Sequence, residues 1–309
     1  MADFILYSIV IPVYRSEKVV ERTVETILEV AANHSFSFEI ILVNDGSPDN
    51  SWGVVEELAK KHIEVRSVNL LKNYGQHTAV YCGIAISKGD YIITMDDDMQ
   101  NPPSEIPKLI AKIQEGYDLI FAEFVQKMHP GFRKLGTRMI SYLNKEIFDK
   151  PKDLKLTNFR IFNRSTADRL LDYRTNYPYI PGLLLMSAGK MGNVITEHHS
   201  REIGNSNYTL VRILTLVARL LFNYSSYPLK LVSGSGIVIS ILSFLAGFAY
   251  ILKSIFTGVH VEGWTTLVAL ISFLCGFILI MLGVMGEYLA RILNQQTVSK
   301  PYQVREIVD

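Results

Sequence analysis

One short stretch of the sequence combines residues able to hold a metal ion and a phosphate together: Thr94-Met95-Asp96-Asp97-Asp98-Met99-Gln100. It continues an apolar, β-rich run, Tyr91–Met95. In extended backbone, side chains alternate between faces, so Asp96 and Asp98 should point one way and Asp97 the other. Two converging carboxylates suit a hard divalent cation, Mg²⁺ or Mn²⁺, with Gln100 as a third oxygen ligand. Such a cation keeps waters and completes its shell with substrate phosphates. Taken alone, the triplet is explained equally well by an acidic, solvated turn that caps the next helix.

A second acidic turn, Asn44-Asp45-Gly46-Ser47, follows another β-rich run. An Asp-Gly-Ser turn needs no ligand, yet three carboxylates on one edge repel unless a cation or donor offsets them. The elements that must position these acids alternate along the chain. Tyr7–Pro12, Phe38–Val43, Val65–Leu70, Tyr91–Met95 and Asp118–Ala122 read as strands. Val20, Val24, Ile27 and Leu28 repeat at helical spacing, with Ser16 as N-cap. Further helices are expected over 50–61, 75–87 and 103–116, the last with Pro first and Gly last. Alternation of this kind implies a mostly parallel sheet covered by helices. Its ligands sit at the carboxyl ends of the strands, where Asp45, Asp96 and Asp98 are expected.

The chain has 309 residues and a formal net charge of +1, which leaves no electrostatic reason to expect nucleic acid as a partner. Its apolar residues concentrate near the end. Leu231–Leu252 and Trp264–Gly286 contain no charged residue, and each is long enough, at 1.5 Å per residue, to cross a hydrocarbon core of about 30 Å. The short linker makes them a hairpin. Arg212, Arg219 and Lys230 precede it and Arg291, Lys300 and Arg305 follow, so both termini are expected in the cytoplasm. Phe4–Val13 lacks a basic start and a cleavage site and reads as a strand, not a signal peptide. Cys82 and Cys275 are the only cysteines and imply neither a disulfide framework nor a zinc site. Phe132–Phe148 and Thr209–Tyr224 place apolar residues at helical spacing with basic residues between, the pattern of helices lying in a membrane interface. Within the first, Arg133 and Arg138 are candidates for receiving a lipid phosphate.

The order Ile-Pro-Val-Tyr (11–14), Val-Asn-Asp-Gly-Ser (43–47), Asn-Tyr-Gly-Gln (73–76), Gly-Asp-Tyr-Ile (89–92) and Asp-x-Asp-x-Gln-x-Pro-Pro (96–103) resembles the GT-A family 2 glycosyltransferases. Within them it looks like the polyprenyl-phosphate glycosyltransferases: dolichyl-phosphate mannose synthases, bactoprenol glucosyltransferases and, through 75–79, 100–107 and the ending 286–302, undecaprenyl-phosphate formamido-arabinose transferases. The resemblance implies an α/β fold, a GT-A (Rossmann-like, mostly parallel sheet) cytoplasmic domain over 1–205. An amphipathic juxtamembrane helix over 206–230, a transmembrane hairpin over 231–286 and a cytoplasmic tail over 287–309 complete the expected organisation.

It also implies inverting transfer of a sugar from a nucleotide donor, expected to be UDP-linked, to undecaprenyl phosphate at the bacterial inner membrane, for cell-envelope glycan or lipid modification. Pro12, Tyr14, Asp45 and Asp96 would then surround the nucleotide. Asp96, Asp98 and Gln100 would hold the metal on the diphosphate, making Asp98 and Arg201 the catalytic pair, with Arg201 on the phosphates; guanidinium suits such multi-donor contact. A homo-oligomer is implied too. Asn158-Phe159-Arg160 departs from the family's Asp-Phe-Arg, whose Asp is a candidate base. A lipid phosphate is largely ionised at neutral pH and barely needs one. The competing readings are a non-catalytic nucleotide-sugar scaffold, kept open by Asn158, and a processive polysaccharide synthase. The latter usually carries a Gln-x-x-Arg-Trp motif, whereas tryptophan occurs here only at 52 and 264.

Overall fold

Strand β1 (Leu6–Val13) is buried along nearly its whole length, as a strand covered on both faces must be, and its sequence is accordingly almost continuously apolar. The computed structural model describes residues 5–124, 131–173, 175–197, 199, 210–257, 263–297 and 300–309. The side chains of 131–138, of 210–214 and of scattered positions in the last two helices lie outside that set. From β1 the chain passes through α1 (Val20–His34), β2 (Ser37–Asn44), α2 (Ser51–Lys61), β3 (Val65–Leu70), α3 (Gln76–Ile86) and β4 (Tyr91–Thr94). A 3₁₀ turn (Pro103–Glu105) leads into α4 (Ile106–Ile113), β5 (Leu119–Phe124), α5 (Gly131–Phe148), β6 (Arg160–Asn163), α6 (Arg164–Asp172), α7 (Ile180–Ser187) and β7 (Met191–Thr196). Helices α8 (Leu210–Tyr224), α9 (Tyr227–Thr257) and α10 (Trp264–Thr297) follow, and β8 (Val304–Val308) ends the chain.

Among the described residues, eight strands form one sheet in the order β7-β5-β6-β4-β1-β2-β3-β8. Pairings β1–β2, β1–β4, β2–β3 and β5–β7 are parallel. The antiparallel pairings all involve strands that the apolar pattern did not announce, β6 between β4 and β5, and β8 on β3. The expected mostly parallel α/β sheet is therefore present. Val20, Val24 and Ile27 of α1 pack with Ile9, Ile11, Ile40, Leu42 and Ile93 in the core, so periodicity and burial agree.

Ser16 does not cap α1. That helix starts at Val20 behind Val19, and the Ser16 carbonyl instead accepts the Val19 and Val20 N–H groups at 3.0 and 3.1 Å. The Ser16 hydroxyl donates to the Tyr14 carbonyl at 3.2 Å, which removes it from the helix start.

The chain divides into two compact units, Met1–Tyr208 with Val298–Asp309, and Thr209–Thr297. The second holds α8, α9 and α10. Tyr288 of α10 donates its hydroxyl to the Ser225 carbonyl at 3.0 Å. A Cβ on Gly236 of α9 would lie 3.1 Å from Met281, so glycine permits the close approach of α9 and α10. Ile237, Leu242, Phe248, Phe273, Ile280 and Leu289 are each more than half exposed. Counting the described residues alone, no helix is both long and apolar enough to cross a membrane. The segments Leu231–Leu252 and Trp264–Gly286 do lie inside helices of 31 and 34 residues.

Candidate active site

The carboxyl ends of β1, β2 and β4 lie side by side because those strands are parallel and in register, and the expected site residues fall there. Pro12 is buried within β1, opposite Val43 of β2. Tyr14, just past the strand, is 42% exposed, with the Arg15 guanidinium 5.4 Å from its ring centre. This exposed ring at the strand edge offers a planar surface to a base; Pro12 contributes backbone.

Asp45 directly follows β2. It is 2% exposed, and its two carboxylate oxygens accept the backbone N–H groups of Tyr74 (2.7 Å) and Gly75 (2.9 Å). Burial raises its pKa, and these two hydrogen bonds oppose the rise. Beside it Gly46 has φ +59°, and a Cβ there would come within 2.5 Å of the Lys72 carbonyl carbon; only glycine fits. Asp45 and Gly46 together hold the loop 72–75, which ends at Gly75 (φ +95°) and starts α3. Gln76 and His77 are the first residues of that helix.

Strand β4 ends at Thr94, one residue earlier than the pattern implied, so the acidic triplet lies in irregular backbone, with Met99 at φ +57°. The Asp97 carboxyl is turned inward, and burial pushes its pKa up to about 7, with a Ser16 hydrogen bond pulling against that and the charges of Asp96 and Asp98 adding to it. One Asp97 oxygen, Oδ2, is buried without a hydrogen-bond partner. Asp96 accepts hydrogen bonds from the Gln76 amide and from Asn158 Nδ2, the latter at 3.1 Å. Asp98 accepts from the Gln100 backbone N–H (3.2 Å) and side-chain Nε2 (2.9 Å). In this arrangement Gln100 turns its nitrogen to Asp98; exchanging the amide's two ends would present the oxygen instead.

The expected convergence of three carboxylates is not what the fold builds. Among the described residues no three or more His, Cys, Asp or Glu side chains are grouped to hold a metal ion. Asp45 is committed to its loop, which leaves Asp96 and Asp98 as the acidic pair. Arg201 lies outside the described residues, as do the side chains of Arg133 and Arg138 on α5.

A pocket at the end of β4 is lined by Gln76, His77, Val80, Thr94, Met95, Asp96, Asn158 and Arg160. Arg160 is the feature that sequence reasoning missed. It is 1% exposed, donates from Nε to Thr94 Oγ1 (2.9 Å) and from Nη1 to the Thr157 carbonyl (3.3 Å), and sits 6.0 Å from the Phe121 ring centre. Burial lowers its pKa to about 10, with Asp96 pulling the other way, so it stays charged at neutral pH. Its hydrogen bonds go to Thr94 and Thr157, and Asp96 acts on it through charge alone. Burial, reinforced by Arg160, drives the His77 pKa down to about 4, so this imidazole is neutral; its ring meets Tyr179 edge-on at 5.3 Å. The signal was present: a lone Arg inside the apolar run Phe159–Phe162 must be buried and paired if that run is a strand. Chemically the pocket joins a carboxylate edge to a fixed positive charge, amide donors and a neutral imidazole. That combination suits an anionic, hydroxyl-rich ligand with a cation.

Comparison with known proteins agrees with this geometry. The model of Glycosyl transferase family 2 matches residues 8–173, which span β1 to the end of α6. The chain is 32% identical over 304 residues to an undecaprenyl-phosphate 4-deoxy-4-formamido-L-arabinose transferase of Proteus mirabilis, covering 97% of this chain and 93% of that one. It is 30% identical over 296 residues to an uncharacterized glycosyltransferase, YkcC, of Bacillus subtilis, with 96% and 92% covered. Among solved structures it is similar to glucosyl-3-phosphoglycerate synthase of Mycobacterium tuberculosis, crystallised with Mn²⁺, UDP and phosphoglyceric acid. There the TM-score is 0.53 at 16% identity, over 70% of this chain and 76% of that one, a likeness of fold. With its GT-A-like sheet and the pocket at the carboxyl end of β4, the chain is a glycosyltransferase and belongs to Glycosyl transferase family 2.

Proposed function

We propose that this protein transfers a sugar, with inversion, from a UDP-linked donor to undecaprenyl phosphate at the cytoplasmic face of a bacterial inner membrane, in cell-envelope glycan or lipid modification. The observation that carries the reading is the pocket where Asp96, Asn158 and the buried Arg160 meet at the end of β4. It lies in a chain collinear over 97% of its length with a relative named for transfer involving undecaprenyl phosphate.

The donor set fits a divalent cation. Asp96 and Asp98 are hard oxygen ligands whose hydrogen-bond donors, Gln76, Asn158 and Gln100, are neutral amides that a cation can displace. Mg²⁺ or Mn²⁺ commonly uses one or two carboxylates and completes its shell with phosphate oxygens. Asp96, Asp98 and Gln100 would hold it; when bound it supplies positive charge for the departing nucleoside diphosphate. Tyr14 and the loop held by Asp45 would bound the nucleotide, and Arg201 would approach its phosphates.

The acceptor supplies its own nucleophile, because a phosphate monoester is largely ionised at pH 7. Asn158 has no proton-accepting group at this pH; its amide donates to Asp96 and so orients that carboxylate. One displacement at the anomeric carbon inverts its configuration. Arg133 and Arg138 on α5 would receive the lipid phosphate. The charge-free stretches inside α9 and α10 and their exposed Leu, Ile and Phe side chains support a two-span hairpin, with the basic flanks keeping both termini cytoplasmic. A homo-oligomer completes the assembly.

The test is transfer in proteoliposomes from a panel of UDP-sugars to undecaprenyl phosphate with Mg²⁺ or Mn²⁺, for wild type and Asp98→Ala. Lipid-linked product of inverted configuration is expected from the wild type, with Asp98→Ala at least 100-fold slower. Donor binding without product in the wild type would favour the non-catalytic scaffold and overturn the reading.

A further inference from the structure

Strand β8 is the last element of the chain, after α10, yet it completes the sheet that carries the active site. It runs antiparallel to β3, pairing Val308 with Ser67, Ile307 with Val68 and Glu306 with Asn69, and after a bulge Val304 with Leu70. The contact continues past the strand. The Leu71 N–H donates to the Gln303 carbonyl at 2.9 Å, and the Leu71 carbonyl accepts from Arg305 Nη2 at 3.3 Å. Asp309 forms an ion pair with Arg66 of β3. Tyr302, 6% exposed, packs edge-on against Tyr81 of α3, ring centres 6.4 Å apart, and interacts with the thiol of the buried Cys82 one residue on.

These contacts converge on one segment. Residues 71–77 leave β3, pass through the loop fixed by Asp45 and Gly46, and end in Gln76 and His77, which line the pocket. Asp45 and Gly46 hold this segment from β2. Gln303 and Arg305 hold its first residue, and Tyr302 holds the helix into which it runs. A short edge strand that covers a sheet is ordinarily protection against wrong pairing. Here its last contacts are spent on the segment leading to the pocket instead.

We propose that the C-terminal strand is a working part of the donor site: β8 and Tyr302 hold residues 71–77 in the conformation that presents Gln76 and His77 to the nucleotide sugar. Tyr302 is a positioning residue, acting through α3. The inference rests on the donor reading of the pocket given above. Ordering the segment in advance removes that cost from donor binding. By linkage, the bound nucleotide must in turn strengthen the docking of β8.

The test uses the full chain with Cys275→Ser, so that Cys82 is the single thiol. Burial drives the Cys82 thiol up to about 12, so alkylation at pH 8 is expected to report loosening of the C-terminal segment over α3. In Tyr302→Ala, and separately in Arg305→Ala, the expected results are faster Cys82 alkylation, a Kd for UDP with Mn²⁺ raised about tenfold, and alkylation slowed several-fold by saturating UDP. Donor KM should rise while kcat and acceptor KM hold. Tyr302→Phe, which keeps the ring, should restore most of the UDP affinity.

A purely structural strand would lower the thermal midpoint and speed alkylation but leave UDP affinity alone and make alkylation indifferent to UDP. That result overturns the proposal while sparing the donor reading. Failure of the parent chain to bind UDP overturns both.

Discussion

Asn158→Asp tests the heart of the site by placing a second carboxylate against Asp96. The native amide donates to Asp96 at 3.1 Å, a hydrogen bond to a charged group worth about 1.5–3 kcal/mol. The substitution removes that bond and sets two negative charges at the same separation. At an effective dielectric of about 20, the repulsion between them would be about 5 kcal/mol. The pair can escape by taking up one proton, which at pH 7 costs about 4 kcal/mol for a carboxyl of ordinary pKa near 4. Some movement apart relieves part of either cost, so the metal-free variant is expected to lose about 3 kcal/mol.

The pH dependence has a definite sign. Between pH 5 and 8 the folded variant holds one more proton than the unfolded chain. Its stability relative to wild type therefore falls as pH rises, by up to about 1.4 kcal/mol per unit, until both carboxylates ionise. Mn²⁺ should offset the loss, because a cation between the two carboxylates replaces their repulsion by attraction. The assay is thermal unfolding of both proteins in detergent at pH 5.5 and pH 8, with and without Mn²⁺. A variant as stable as wild type at pH 8 without metal would refute the placement of Asn158 against Asp96 and the electrostatic account built on it.

Two other substitutions probe separate parts of the sheet. Arg160→Met should cost about 3 kcal/mol, since it leaves Thr94 Oγ1 and the Thr157 carbonyl without the buried charged donor they now have. Arg160→Lys should recover only part of this, because an ammonium cannot reproduce the guanidinium's fork; chemical denaturation of the three proteins decides it. Asp118 joins β5 to the turn before β7, accepting N–H groups from Lys190 (2.8 Å) and Gly189 (3.0 Å) and the Asn163 amide (2.9 Å). The Lys190 bond leads in holding its pKa below the usual carboxylate value. Its contribution is therefore complete above about pH 4 and fades as pH falls through the lowered folded value. Asp118→Ala should cost about 2 kcal/mol at pH 7 and progressively less in acid, as unfolding at a series of pH values will show.

The parallel half of the sheet was legible because β1, β2, β3 and β4 are apolar runs separated by helical periodicity, and a strand covered on both faces has to read that way. Antiparallel β6 was not legible, since Arg160 interrupts its apolar pattern and no turn signal ties it to a neighbour. β8 has the opposite defect: Val304–Val308 is exposed along most of its length, so its sequence carries little burial signal. Its place is set by the edge of β3. Within the site, Asp96 follows β4 and lines a pocket, and the Asp97 carboxyl is buried. Type alone misassigned Ser16 and did not reveal the loop contacts of Asp45. Both sit beside backbone groups that no local pattern reveals, Ser16 among Tyr14 and Ser51 and Asp45 under Tyr74 and Gly75.

By itself the sequence determined the class of sheet, the edge on which the acids lie and the charge-free stretches inside α9 and α10, because each depends on spacing along the chain. Tertiary structure decided what each polar group does, because a polar group's role depends on which partners remain once its neighbours are satisfied. Asp45 became a clasp for the loop 72–75, Asn158 a donor to Asp96, and Arg160 a buried donor to Thr94 and Thr157. Those partners lie far off in the chain, 62 residues for Asn158 and Asp96 and 66 for Arg160 and Thr94, where no periodicity reaches.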